Sequence, residues 1–302
     1  MVSVIVCTYN RAQYIGKCLE HLAIQKASVK EYEIIVVDNN STDGSVEIIK
    51  KIMNEFSDIP FAYFLELNQG HTFARNRGIT EAKGEILSFI DDDAFVEENF
   101  ITAIQDHFNS NPTVAAIGGK IVPIYEGREP TWMSKYLLTL VSALDLGQDV
   151  KEFPKSKFPI GANMAFKKEV FEEYGHFNVT LGRRADGLEG GDEKEVFMRL
   201  RKEHELIHYV PDVKVDHIIP EKRTTEAYIK GLGNGVGSSE KKRLKNAGLV
   251  GKGRKYVSEI IKTIGSFVLY LLYLMKGRLS AANMLLKFRY WVWQGLVLKS
   301  KI

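Results

Sequence analysis

Apolar positions along the chain repeat in two ways. Val2-Ser-Val-Ile-Val-Cys7, Tyr32-Glu-Ile-Ile-Val-Val-Asp38, the stretch near Phe61 to Leu67 and Ile86-Leu-Ser-Phe-Ile90 are short apolar runs of the kind buried parallel strands show. Between them, Tyr14, Ile15, Cys18, Leu19, Leu22 and Ala23 recur with helical spacing, and Val46, Ile48, Ile49 and Ile52 do so after a capping turn. A third, shorter helix holds Ala74-Arg-Asn-Arg-Gly78. Four strands alternating with three helices predict a doubly wound α/β half with right-handed crossovers.

Beyond this half the pattern predicts a helix through Phe100, Ile101, Ile104 and Phe108, stopped at Asn111-Pro112, then a strand near Val114 to Val122. The stretch from Pro123 to Pro159, with Trp132, Tyr136 and a partly apolar helical run, reads as a lid or an acceptor-side insertion. A strand from Phe158 to Phe166, a helix from Lys168 and a flexible loop from Gly182 to Gly191 follow. Val196, Phe197 and Leu200 open a further helical face, and a strand pair near Leu206 to Val215 ends in Asp216-His217. From about Glu221 the composition shifts. Gly231-Leu-Gly-Asn-Gly-Val-Gly237 reads as a mobile hinge, and Lys241 to Lys255 carries seven Lys or Arg residues. Two apolar stretches close the chain, Ile264 to Met275 and Ala281 to Leu298. The first is about twelve residues, short of the roughly twenty needed to cross a bilayer. Residues 1–220 are therefore expected to form a nucleotide-binding domain, and residues 221–302 a basic linker with amphipathic or apolar helices. Within the latter, 241–302 would lie on a membrane surface or against a second subunit.

Chemistry enters where the strands stop. Ile86 to Ile90 runs directly into Asp91-Asp92-Asp93, at a carboxyl strand end, where open α/β sheets bind ligands. Adjacent carboxylates repel unless a cation offsets them, and hard divalent ions are held by one or two carboxylates together with phosphate oxygens. The plain alternative is a solvated acidic turn. Thr8-Tyr9-Asn10-Arg11 and Asp38 also sit at strand ends, and Asp192 falls in the first turn of a helix, where the dipole favours a carboxylate.

Composition narrows the classes. A formal charge of +3 gives no warrant for nucleic acid as partner. Two cysteines, Cys7 in a strand and Cys18 on a helix's apolar face, offer neither a disulfide framework nor metal-ligand spacing and read as buried thiols. With no export segment ahead of the first strand, the expected location is cytoplasmic, possible membrane attachment being peripheral.

Taken in order, Cys7 to Arg11, Val37 to Asp43, Ala74 to Gly78, Asp91 to Asp93 and the Gly190-Gly191-Asp192 loop resemble glycosyltransferase family 2 over roughly residues 1 to 220. The resemblance implies a GT-A fold, a mostly parallel Rossmann-like sheet flanked by helices, here with a C-terminal helical extension. It implies inverting transfer from a nucleoside-diphosphate sugar, a UDP sugar by expectation, to a hydroxyl of a glycan or lipid-linked acceptor. It assigns Thr8, Tyr9, Asn10 and Arg11 to the base, Asp38 to base or ribose, Arg75 to base or diphosphate, and Asp91 and Asp92 to the donor side. Asp93 would bind Mn²⁺ or Mg²⁺ with His217 completing the shell, and Asp192 would be the general base. The family usually has a glutamate immediately before that aspartate. Gly191 stands there, so Glu189 or Glu193, with Trp132, would supply acceptor-side contacts.

Two rival classes are weaker. A dinucleotide-dependent oxidoreductase needs a glycine-rich turn after its first strand, which Cys7-Thr-Tyr-Asn-Arg-Ala-Gln13 lacks. A non-catalytic membrane-associated scaffold has no use for both a metal group and a base.

Overall fold

The computed structural model describes residues 1–182, 191–245 and 248–297. Its first elements are β1 (Val2–Thr8), α1 (Ala12–Ala23), β2 (Tyr32–Asp38), α2 (Ser45–Glu55), β3 (Phe61–Leu65), α3 (His71–Glu81) and β4 (Ile86–Asp91). β1 pairs in parallel with β2 and β4, and β2 with β3. Every residue of β1 and β2 is buried, which the Val and Ile runs require of strands covered on both faces. The register sets Thr8 opposite Asp38 and Cys7 opposite Asp91, so the strand-end acids emerge level along one rim.

The chain continues through β5 (Ala94–Val96), α4 (Phe100–Ser110), β6 (Val114–Tyr125), β7 (Lys151–Glu152), β8 (Asn163–Lys167), α5 (Glu169–Tyr174), α6 (Asp192–Lys202) and β9 (Leu206–Ile219). Among the described residues the strands form one sheet in the order β3-β2-β1-β4-β8-β6-β9-β5, with β7 against β9. The four strands from β3 to β4 are parallel, while β8 joins β4 antiparallel. Phe89 at the centre of β4 meets Phe166, Phe171 and Phe177 edge-on, ring centroids 5.4 to 5.9 Å apart, and anchors the acidic rim to the core.

Several expectations need correction. β9 is one fourteen-residue strand, and His217 lies inside it rather than at its end. The reason is β5, absent from the sequence reading, which follows the acids at once and pairs Ala94 with His217. Between β6 and β8 there is no α-helix, only a 3₁₀ turn at Leu138–Val141 and the two residues of β7.

The described residues divide into two compact units, one drawn from 1–124, 142–182 and 192–218, the other from 125–141, 191, 219–245 and 248–297. The second holds α7 (Glu226–Leu244), α8 (Leu249–Met275) and α9 (Leu279–Val297). The expected glycine hinge is instead the middle of α7, because small residues there admit a neighbouring helix. A Cβ on Gly233 would come 2.8 Å from Trp291 Cβ, and one on Gly237 would fall on the Val292 carbonyl oxygen. Nor does the apolar run from Ile264 stand alone: α8 is one helix of 27 residues, about 40 Å at 1.5 Å per residue, long and apolar enough to cross a membrane by length and composition. The count of twelve stopped at Lys262, whose Nζ sits 2.7 Å from Glu259 Oε1.

Gly237→Val should therefore force α7 from α9 and cost roughly 1–3 kcal/mol of stability, read as a lower urea midpoint. Gly253→Ala, whose added methyl meets nothing within 4 Å, should hold or raise the midpoint. Equal midpoints for the two variants would refute the close-packing account of the α7 glycines.

Candidate active site

The loops after β1 and β2 are bound to each other before any ligand arrives. Asn10 N–H donates to Ser41 Oγ at 2.9 Å, Thr42 N–H to Asn10 Oδ1 at 2.8 Å, and Ala12 N–H to Asp43 Oδ2 at 3.0 Å. Asn10 takes a left-handed φ of 54°, which Asn tolerates, and this turns the chain into α1. Tyr9 and Asn10 are exposed beside the buried Thr8. Asp38 is held by two donors: Ser41 N–H on Oδ1 at 3.0 Å and the Tyr63 hydroxyl on Oδ2 at 3.1 Å. Burial and the Asp38 charge push the Tyr63 phenol up to about 12, so it stays a proton donor. Asn39 ties the rim to the next loop, giving its amide hydrogens to Glu66 O and Asn68 O and accepting from Gly70 N–H.

At the end of β4 the three acids meet Arg11 and His217. Arg11 lies 3.7 Å from both Asp92 Oδ1 and Asp93 Oδ2, and His217 Nε2 lies 3.0 Å from Asp93 Oδ1. Burial, then the charge of Asp93, raises Asp92 to about 7 despite Arg11. One oxygen from Asp91, one from Asp93 and a ring nitrogen of His217 all lie within 4.8 Å of one another. Two carboxylates and an imidazole are a donor set that suits Mn²⁺ and, less well, Mg²⁺. His217 is fully buried with its Nε2 turned to the Asp93 carboxylate, so an imidazole nitrogen and carboxylate oxygens face one point. The group therefore fits a divalent cation, and Asp91 joins the two ligands expected from the sequence.

The base side is organised by Arg75, among the largest fully buried side chains. Its Nη1 is 2.7 Å from Asp192 Oδ2 and 3.3 Å from Glu193 Oε1, its Nη2 3.9 Å from Asp91 Oδ1, and the guanidinium lies 5.3 Å from the Phe177 ring centroid. Gly161 makes this possible, since a Cβ there would occupy the place of Nη2. Burial and the neighbouring Glu193 charge raise Asp192 to about 7, with Arg75 pulling the other way. Burial opposes ionisation of Glu193 too, but Arg75 and the hydrogen bonds from Asp192 and from the Glu193 backbone together hold that carboxyl below its usual range. Asp192 begins α6, as the sequence predicts. The thiol of Cys7 is pushed up to about 12 by burial and Cys18 is raised as well, so neither cysteine is a nucleophile here.

Of the sequence candidates, Thr8, Tyr9, Asn10, Arg11, Asp38, Arg75, Asp91, Asp92, Asp93, Asp192, Glu193 and His217 all belong to the first unit. Glu189 lies outside the described residues. Trp132 belongs to the second unit, where its Nε1 donates to Thr224 O at 3.2 Å. Sequence reasoning missed Tyr63, Phe177 and Gly161, none of which lies in a motif, and it gave Arg75 no part on the Asp192 side.

Comparison with known proteins identifies the family and the fold. The family model for glycosyl transferase family 2 matches residues 3–175. A glucosyl-dolichyl phosphate glucuronosyltransferase of Haloferax volcanii is 29% identical over 230 residues, 74% of this chain and 71% of its own length. A mannosyltransferase of Pyrobaculum calidifontis, solved with GDP-Man and Mn²⁺, superposes with TM-score 0.67 at 19% identity, covering 99% of this chain and 88% of that one. Residues 1–349 of S. aureus TarS, solved with UDP-GlcNAc, give 0.59 at 15% identity, with 99% and 93% covered. With the family model spanning more than half of its residues and its sheet laid out as in GT-A structures, this chain belongs to glycosyl transferase family 2.

Proposed function

We propose that the protein is an inverting, cation-assisted glycosyltransferase that moves one sugar from a nucleoside-diphosphate donor, UDP in our reading, to a hydroxyl of a glycan or lipid-linked acceptor of the cell envelope. The observation that carries the proposal is the buried Arg75, which ties a carboxyl with a raised pKa to the acidic group at the end of β4. An inverting transfer needs both: an anion-stabilising side for the leaving diphosphate and a base on the opposite face of the sugar.

In this reading Asp38 accepts hydrogen bonds from the base or ribose, held in place by Ser41 N–H and Tyr63. Thr8, Tyr9, Asn10 and Arg11 wall the base, and Asp92 faces the ribose. Asp93 and His217, with Asp91, would hold Mn²⁺ or Mg²⁺. Bound there, the cation supplies charge neutralisation for the departing diphosphate. Asp192 removes the proton of the acceptor hydroxyl while that oxygen bonds to the anomeric carbon and the carbon–oxygen bond to the diphosphate breaks. One displacement inverts the centre, and inert thiols in the core of the site are consistent with a route that needs no enzyme nucleophile. Glu193 shares Arg75 with the base and takes the acceptor-side role left by Gly191. The relatives' names supply the acceptor class: the Haloferax volcanii enzyme acts on a dolichyl phosphate sugar.

The second unit is read as a peripheral membrane contact on the cytoplasmic side. α8 leaves Ile261, Ile264, Phe267 and Val268 exposed, and its single acid, Glu259, is buried beneath Lys255, Lys262 and Arg289. The outward charge is therefore basic, as an anionic leaflet requires. A homodimer through the same face is the competing arrangement.

Asp192→Asn should lower kcat by roughly 10²–10⁴-fold with UDP affinity unchanged in calorimetry, and turnover at the wild-type rate would remove Asp192 as base. A base works only when deprotonated. With Asp192 raised to about 7, kcat/KM should rise with pH through neutrality and level above it, and a profile flat from pH 5 to 8 contradicts the assignment. UDP should bind more tightly with Mn²⁺ than in EDTA, and Asp93→Asn should abolish that difference. Equal affinity in both buffers for the wild type, tested also with GDP and dTDP, would sink the cation-assisted reading.

A further inference from the structure

The second unit contains a cavity with an unusual wall. It is a half-open cavity of about 530 Å³, inside the roughly 300–1,000 Å³ of small-molecule sites, bounded by the 136–140 segment, α8 and α9. Leu137, Leu140, Leu269, Leu285 and Phe288 make it apolar, while Lys262 and Arg289 stand on its rim. Those two cations belong to a chain of ion pairs across three helices. Glu259 lies 2.7 Å from Lys262, 3.0 Å from Lys255 and 3.4 Å from Arg289, while Glu240 lies 3.0 Å from Lys255 and 2.9 Å from Arg243. Among the described residues that line the cavity, Lys262 and Arg289 are the charged ones and none is a carboxylate, so its polar end is cationic. Val268 lines the cavity and is also half-exposed beside Phe267, so the inner wall runs into the outer apolar stripe of α8.

We propose that this cavity holds one hydrocarbon chain of an anionic phospholipid drawn from the leaflet on which α8 rests, with the phosphate at Lys262 and Arg289. The proposal rests on the membrane-surface reading above and adds a site and a ligand chemistry to it. An apolar chain enters a dry wall without losing hydrogen bonds, and the cationic end selects the charged head group. Gly265 is the position that leaves the space open. It lines the cavity, and a Cβ added to it meets nothing within 4 Å. A helix-interior glycine in an open place costs stability relative to a larger residue, so the space is left at some expense to the helix.

The test uses the full chain in detergent-free buffer with cis-parinaric acid, a single-chain anionic lipid whose emission rises when its polyene leaves water. Binding should saturate at one probe per chain. Lysophosphatidylglycerol should displace it at about tenfold lower concentration than lysophosphatidylcholine. Gly265→Leu, whose added Cβ meets nothing within 4 Å, should weaken probe binding at least about tenfold while the melting temperature holds or rises and UDP binding stays as in the wild type. Arg289→Gln should erase the head-group preference. The proposal is overturned if Gly265→Leu binds the probe as the wild type does, if head-group charge makes no difference, or if farnesyl phosphate displaces better than lysophosphatidylglycerol, which would assign the cavity to a prenyl chain. It is equally overturned if probe binding disappears as size-exclusion shows a dimer forming, since a second copy would then be the occupant. Flotation on phosphatidylglycerol vesicles is measured separately. Loss of flotation with probe binding intact condemns the membrane reading, and the reverse condemns the cavity.

Discussion

The site depends on how much negative charge the sheet rim must hold. Asp91, Asp92, Asp93, Asp192 and Glu193 converge there, and among the described residues the guanidiniums of Arg11 and Arg75 meet them. Burying carboxylates is expensive, and a guanidinium shared by three of them offsets only part of that cost. The remainder is expressed in two ways: Asp92 and Asp192 move up toward neutrality, and Asp91, Asp93 and His217 bring three potential ligand atoms within 4.8 Å of one another. A carboxyl that ionises near neutral pH and a gathering of cation ligands are thus two consequences of one crowding of acids.

Arg75 could not be replaced by a point charge. Its planar fork reaches Asp192 and Glu193 from one nitrogen and Asp91 from another, while the face of the group lies against Phe177, itself packed on Phe89 of β4. The side chain is fixed by the same aromatic cluster that anchors the acidic strand, so base and metal group keep their separation through the core rather than through a loop.

What was legible in the sequence follows from the range of the interactions. Strands β1, β2 and β4 and the acids at their ends are local features, an apolar run and the residue that stops it. His217 is different. Its place beside Asp93, 124 residues away, exists only because β5 and β9 pair antiparallel, and three residues of β5 give too little pattern to announce themselves. The contact of Arg75 with Asp192 spans 117 residues and has no local sign either. The α7 glycines misled for another reason: freedom of the backbone and closeness of a neighbour leave the same trace in a sequence, and only Trp291 and Val292 opposite decide between them. In α8, counting uncharged residues ended the apolar segment at Lys262, a lysine that pairs with Glu259 and does not break the helix.

The two units handle buried charge by the same device with opposite sign. In the first, among the described residues, Asp91, Asp192 and Glu193 share the one guanidinium of Arg75. In the second, Glu259 is shared by Lys255, Lys262 and Arg289. Under the function proposed above, each arrangement suits what would complete it: a divalent cation with a diphosphate at the sheet rim, and an anion carrying an apolar body at the helices.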